Sequence, residues 1–363
     1  MVKGTKILQE IRYKEALVNN TEAKMAKITI QNIAKELGLS RNTVSMALKN
    51  SNLVAPQTRD LVLRYARRVG YMEDTAVQEE YRQTAYHIMI LRKPDRAVYW
   101  DKVINGILEE ASRNHCQTQV AVLTDEEEQA NQFPLGLDEK ISAIFCIKLI
   151  SQEYLKKLKE KGFHMIMLDY YWDQQQELLG DVIRIEGLNA TAYLTHHLIE
   201  QGMCRIGFLN EHSSIYETMH DRYMGYLKAM EQAGLAVASD WVYPDMESDH
   251  FYFQSTFDEL VEQHTAFPEA VVCGNDRIAQ YLTIAFRKNG IRVPEDVAVT
   301  GFDNDEDELI EPFFSTVQVN AKWLGKRMVQ SFLWRMQNKE APYEKIIVSG
   351  EVILRRSSAK IHK

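Results

Sequence analysis

Four polar side chains within five positions, Arg41, Asn42, Thr43 and Ser45, are of the kinds that grip phosphates and base edges. An arginine forks onto guanine and a carboxamide onto adenine, each pair giving about 1–3 kcal/mol of discrimination against the wrong base. To reach a groove they must project from an exposed helix start, and the flanking residues supply one. Ile30 to Leu37 predicts a helix with Ile33, Ala34 and Leu37 on one face, ended by the left-handed freedom of Gly38. Ser40 predicts the cap of a second helix whose Val44, Ala47 and Leu48 turn inward. Two short helices joined at such a corner present the second to the major groove, although an ordinary helix hairpin has the same pattern. A third helix is predicted from Val54-Ala55-Pro56 to Val69, with Val62, Tyr65 and Ala66 inward and Gly70 beyond its end. Arg59, Arg64, Arg67 and Arg68 lie near its outer surface, where phosphate contact and simple solvation fit equally.

Charge is polarised along the chain. Residues 1–73 hold 13 Lys and Arg against 6 Asp and Glu, a balance of +7, which leaves −15 on residues 74–363 of the total −8. A basic head on an acidic body suits a protein that meets polyanion at one end only.

The 363 residues suffice for two or three domains, and 45% hydrophobic with 26% charged residues is a globular composition. No apolar run is long enough for a membrane span and no secretory pattern opens the chain, so no membrane partner and a cytoplasmic location are expected. Cys116, Cys146, Cys204 and Cys273 are widely spaced, which favours buried thiols over a zinc site or disulfides. Neither a metal nor a cofactor is expected. The sequence holds no nucleophile elbow, P-loop or dinucleotide glycine fingerprint, which argues against an enzyme. His196 and His197 fall within a helix pattern, and the acidic run from Asp303 to Glu308 lacks the spacing and glycine of a calcium loop.

Residues 1–27 read as an extension, most simply disordered; an upstream start codon or an added arm on the DNA side fits the same residues. Residues 28–72 form the helix-turn-helix domain and 73–84 a polar linker. From residue 85, short apolar runs alternate with helix-length amphipathic segments. Strands are predicted at His87–Leu91, Val120–Leu123, Ala143–Ile147, Met165–Asp169 and Val182–Ile185, with helices at Val103–Asn114 and Glu153–Lys161. A second series comprises helix Asn189–Gln201, strand Arg205–Leu209, helix Tyr223–Ala233, a strand near Trp241, helix Phe257–Gln263, strand Ala270–Cys273, helix Asp276–Asn289 and strand Val297–Phe302. The expected fold is α/β: a small all-α head and a body of two doubly wound parallel-sheet subdomains, whose ligands bind beyond the C-terminal strand ends.

Over residues 28–357 the chain resembles the LacI/GalR family of transcription regulators. The resemblance is carried by ITIQNIAKELGLSRNTVSMALKN, VAPQTRDLVLRYARRVGY, THHLIEQGMCRIGFLN, DRYMGY, VVCGNDRIA, VPEDVAVTGFDND and STVQVNAKWLG, in that order. It implies a homodimer whose heads bind a palindromic double-stranded DNA operator, and a periplasmic-binding-protein-like body over 85–357 with an effector between subdomains. It further implies three crossings, near Ile185–Gly187, near Ser315–Asn320 and before Ile346. Subdomain 1 then covers about 85–186 and 317–345, and subdomain 2 about 187–316 and 346–357.

Residue by residue, the resemblance places DNA contacts at Thr29, Ser40, Arg41, Asn42, Thr43, Ser45, Met46 and Asn50. Met46 stands where many relatives carry a basic residue, and a thymine methyl is its natural contact. The linker departs further: Glu73-Asp74 replaces the usual Pro-Asn, and Glu80 occupies the place of a leucine wedge. A carboxylate is repelled by phosphates and cannot stack between base pairs, so little DNA bending is expected.

The effector residues implied are Arg222, Asn275 and Asp303, each beyond a predicted strand. A guanidinium donating in a fork and a carboxylate accepting in a pair grip adjacent hydroxyls or the edge of a base; the alternative is an interdomain salt bridge between Arg222 and Asp303. Tyr99 and Trp100 after the first strand, Tyr170, Tyr171 and Trp172 after Asp169, and Phe251 with Tyr252 offer flat rings to a sugar face, although each is about as well explained as core or dimer interface. A sugar is the preferred effector, with a purine or nucleoside second. A binding module that has lost operator recognition is the alternative function.

Overall fold

The computed structural model describes residues 29–48, 54–69, 71, 86–94, 98–171, 177–237, 239–246, 253–305 and 312–359. The extension 1–27, the linker 73–84 with Glu80, and Asn50, Trp172, Phe251 and Tyr252 lie outside the described residues. The chain divides into two units, 1–85 and 86–363.

The first unit holds α1 (Ile30–Leu37), α2 (Arg41–Leu48) and α3 (Pro56–Arg68). Thr29 and Asn32 form a reciprocal capping box at the start of α1, and Gly38 ends the helix at φ +65°. Ser40 Oγ accepts from Thr43 N at 3.0 Å, which caps α2 as its type predicts. Ile33, Ala34, Val44, Ala47, Val62 and Ala66 close one small core, with Leu37, Met46, Leu48 and Tyr65 packed around it.

The second unit has two lobes. Lobe 1 contains β1 (His87–Arg92), α4 (Val98–Arg113), β2 (Gln117–Val122), α5 (Asp125–Gln129), β3 (Ala143–Ile147), α6 (Gln152–Glu160), β4 (His164–Leu168) and β5 (Asp181–Ile185). Lobe 2 follows with α7 (Leu188–Glu200), β6 (Ile206–Glu211), α8 (Glu217–Gln232), β7 (Val242–Met246), α9 (Gln254–Glu262), β8 (Ala270–Cys273), α10 (Asp276–Lys288), β9 (Ala298–Thr300) and β10 (Thr316–Gln318). The chain returns to lobe 1 for α11 (Ala321–Gln337) and β11 (Lys345–Val348), and β12 (Glu351–Ile353) comes back to pair antiparallel with β10.

The first sheet runs β11-β5-β4-β3-β1-β2 and the second β7-β6-β8-β9, both parallel. β3 and β5 are buried along their whole length, as strands covered by helices on both faces must be. The core against one face of the first sheet continues across the seam through Ala190, Leu194, Phe302 and Val317. α11 is tied to β5 by a buried bidentate pair, Arg335 Nε to Asp181 Oδ2 at 2.8 Å and Nη2 to Oδ1 at 2.6 Å. Glu344 N also donates to Asp181 Oδ1, at 2.8 Å, which sets where β11 joins the sheet.

Two elements differ from the expected boundaries in ways that matter for function. α4 starts at Val98, not Val103, so Tyr99 and Trp100 occupy its first turn, where Asp101 meets the positive end of the helix. α8 starts at Glu217, not Tyr223, which puts Arg222 on the helix. The third crossing also moves. β11 pairs with β5 in the lobe 1 sheet, so the chain leaves lobe 1 at Ser349-Gly350 rather than before Ile346. The run Lys345–Val348 matches the edge of the first sheet in register, Ile346 opposite Ile183, and that pairing outweighs the expected boundary.

Candidate functional site

The lobes enclose a cleft of about 430 Å³ at the C-terminal ends of their strands. Lobe 1 lines it with Val98, Tyr99, Trp100 and Asp169; lobe 2 adds Glu211, Arg222, Asn275 and Asp303. The arrangement follows from parallel topology, which delivers every strand's C-terminal loop to one edge.

Arg222 is only 3% exposed. Its guanidinium lies 3.7 Å from the centroid of the Phe302 ring, donates to Gly274 O, and places Nη2 3.2 Å from Asp303 Oδ1. A flat cation over a flat ring, with its edges held by oxygens, has its direction fixed. Asp303 sits at φ +100°, bridged alongside β10: its N–H donates to Val317 O at 3.0 Å and its carbonyl accepts from Val319 N at 3.3 Å. Burial pushes the Asp303 carboxyl up from its ordinary range, and the charge of Arg222 opposes that. The salt bridge considered from sequence therefore exists, and it lines the cleft. Both partners belong to the 187–316 segment, so it is not a bridge between lobes.

Asn275 caps α10, with Oδ1 accepting from Ile278 N at 2.9 Å while Nδ2 lies 3.5 Å from Glu211 Oε1. One end of this carboxamide is committed to the helix, and the other meets a cleft carboxylate. Tyr99 and Trp100 meet edge to face, with centroids 5.0 Å apart, and both line the cleft. Burial, then the nearby Asp303 carboxylate, raises the Tyr99 hydroxyl well above its usual range.

Tyr170 does not belong to the cleft. Its ring packs in the lobe 1 core at 2% exposure, and its hydroxyl donates to Glu177 O at 3.0 Å. The reason is the left-handed turn after β4: Asp169 at φ +72° stays at the cleft while the next ring turns back into the lobe 1 core. Tyr171 likewise sends its hydroxyl to Ile150 O, at 2.9 Å.

Sequence reasoning passed over Asp169, Glu211, Asp276 and Asp305 as lining groups. Asp169 and Glu211 sit at strand ends, Asp276 opens α10, and Asp305 lies in the loop beyond β9, so a place on the C-terminal side of a strand was the available signal. Asp169 is half-buried, and desolvation pushes its carboxyl up to about 6. Ion pairs also bind the lobes together beside the cleft. Lys102 Nζ reaches Asp305 Oδ1 at 2.7 Å, Lys345 Nζ reaches Glu217 Oε2 at 2.8 Å, and Arg184 pairs with Asp221 and with Glu217.

On the head, Arg41 and Asn42 are exposed at the start of α2, with Thr43, Ser45 and Met46 half-buried beside them. Met46 leans on the head's core, which limits its reach. Thr29 and Ser40 are committed as caps through their side chains, and Thr29 N also donates to Asn32 Oδ1 at 2.9 Å.

Two parallel-sheet lobes hinged about a polar cleft define a periplasmic-binding-protein-like clamp, here carried by a chain with a helix-turn-helix head. A family described as a periplasmic binding protein-like domain matches residues 195–358. The HTH-type transcriptional repressor PurR of Pasteurella multocida is 26% identical over 339 residues, covering 91% of this chain and 98% of that protein. PurR of Photobacterium profundum is 27% identical over 340 residues, with the same coverage. Among solved structures, the transcriptional regulator CelR in complex with cellobiose aligns at a TM-score of 0.64 and 21% identity, covering 91% of this chain and 99% of that one. The lac repressor dimer bound to operator and the anti-inducer ONPF aligns at 0.63 and 19%, with the same coverage. A LacI family regulator from Enterococcus faecium with bound ribose aligns at 0.62 and 20%, covering 76% of this chain and all of that one. Over nine-tenths of its length the chain is thus similar to repressors of the LacI family, and it shares their fold.

Proposed function

We propose that this protein is a repressor whose hold on a double-stranded DNA operator is set by a small molecule taken up between its lobes. The observation that carries the reading is the convergence of Arg222, Asn275 and Asp303 with Tyr99 and Trp100 on one cleft. Fixed polar forks beside aromatic faces suit a ligand with adjacent hydroxyls, so a sugar is the preferred effector and a purine or nucleoside the second. Neighbours that carry cellobiose and ribose support the sugar; relatives that are PurR repressors keep the purine in view. Operator reading falls to Arg41 and Asn42, with Thr43 and Ser45 toward the backbone, in a cytoplasmic homodimer. The ligand acts by its preference between two lobe arrangements, commonly about 1–3 kcal/mol.

A thermal-shift screen over mono- and disaccharides, nucleosides and nucleobases tests the cleft, since a ligand at 100 times its dissociation constant stabilises by roughly 2.7 kcal/mol. Mobility shifts on DNA flanking the protein's own gene, at two salt concentrations, test the head. Failure to bind any such fragment at modest ionic strength, with and without the screened ligands, overturns the repressor reading.

A further inference from the structure

α8 begins without a cap of its own. Tyr216, at its N-cap position, makes no side-chain hydrogen bond to the helix. The N–H groups of a helix's first turn have no partner within the helix and must be met from elsewhere. Here two are met from the opposite lobe: Glu217 N donates to Tyr170 O at 2.9 Å, and Thr218 N to Asp169 Oδ1 at 3.3 Å. The same Asp169 oxygen accepts from Tyr170 N at 2.8 Å, and a bridge between Tyr171 and Tyr216 continues the seam. Asp169 holds φ +72° at the end of β4, a left-handed conformation that aspartate and asparagine tolerate better than most side chains.

We propose that Asp169 is a positioning residue that caps α8 from the other lobe, so that the helix bearing Arg222 keeps an ordered first turn only while the lobes are together. The first turns of α8 are also where Glu217 and Asp221 meet Lys345 and Arg184 of lobe 1. Separation of the lobes therefore removes a carbonyl, a carboxylate cap and the ion pairs from one helix end at once. The positive end of the helix attracts a carboxylate, but burial of Asp169 outweighs that attraction, so what the cap supplies is an accepting oxygen. The consequence for an effector at Arg222 rests on the function proposed above; the cap itself does not.

Hydrogen exchange on the full chain, without DNA or ligand, tests the cap. Asp169→Gly accepts the left-handed backbone and removes the carboxylate, while Asp169→Asn keeps an accepting oxygen and loses only the charge. Exchange over residues 214–224 should rise by about tenfold in the glycine variant, which loses the cap, and about threefold in the asparagine variant, whose neutral oxygen accepts more weakly. Residues 143–147 and 270–273 should exchange as in the parent. Should the glycine variant fail to fold, the asparagine variant decides by whether its rise is confined to 214–224. Unchanged exchange there, or an equal rise across both sheets, overturns the proposal. Because no operator or effector enters the measurement, failure of the repressor reading leaves this result standing.

Discussion

Buried Arg222 and half-buried Asp303 are held 3.2 Å apart, with the guanidinium flat on the Phe302 ring. Arg222→Met leaves Asp303 without its counter-charge and should cost about 3 kcal/mol at neutral pH, the low end for breaking a buried pair, because Asp303 keeps some solvent contact. Burial already raises the Asp303 carboxyl, so in the variant it takes up a proton more readily and the loss should shrink at low pH. Urea unfolding at pH 7 and pH 5 checks both the size and the direction. A ligand found in the thermal-shift screen should lose most of its stabilisation in the same variant.

Asp169 predicts a pH dependence of stability. Its carboxyl is raised to about 6 by burial, above the ordinary aspartate range it has when unfolded. A raised acid favours the folded state fully below the unfolded pKa, and that contribution is lost as pH rises through about 6. The two-unit difference corresponds to about 3 kcal/mol. Stability should therefore fall between pH 4 and 7 by an amount that Asp169→Asn largely removes, as read from denaturant midpoints across that range.

Arg335→Leu strands the Asp181 carboxylate among buried neighbours, and loss of one partner of such a pair costs about 3–5 kcal/mol. Because Asp181 also accepts from Glu344 N, hydrogen exchange should rise first in residues 343–348.

For the head, Arg41→Ala should weaken operator binding by about 1–3 kcal/mol and relax preference at one base pair. Thr43→Val should weaken all sequences alike. Mobility shifts on single-base operator variants separate the two.

Glu80 stands in the place of the wedge leucine, so DNA bound by this protein should migrate with little bend in circular-permutation gels. Glu80→Leu should increase the bend; a sharp central kink with Glu80 in place would show the argument wrong.

Much of this architecture was legible in the residues. Gly38 and Ser40 mark the corner of the head because left-handed backbone and helix capping are local demands that few residues satisfy. β3, β4, β5 and β8 follow from short apolar runs. Helix starts were harder: Tyr216 offers no cap for α8, and Ala97, directly before α4, is no capping residue type. The first turn of α8 is satisfied by Tyr170 and Asp169 from another lobe, a partnership that local pattern cannot display. The cleft shows the same divide. Arg222, Asn275 and Asp303 were found through the family's motifs, whereas Tyr170 was misplaced because a loop's composition does not say which neighbour points inward.

The last passage between the lobes is two residues long. Ser349 and Gly350 join β11, locked in register with β5, to β12, locked against β10. So short a strap leaves no slack for one lobe to slide over the other, and the freedom that remains is torsional. Any change in lobe arrangement would then be a swivel about a nearly fixed pivot, an angular displacement.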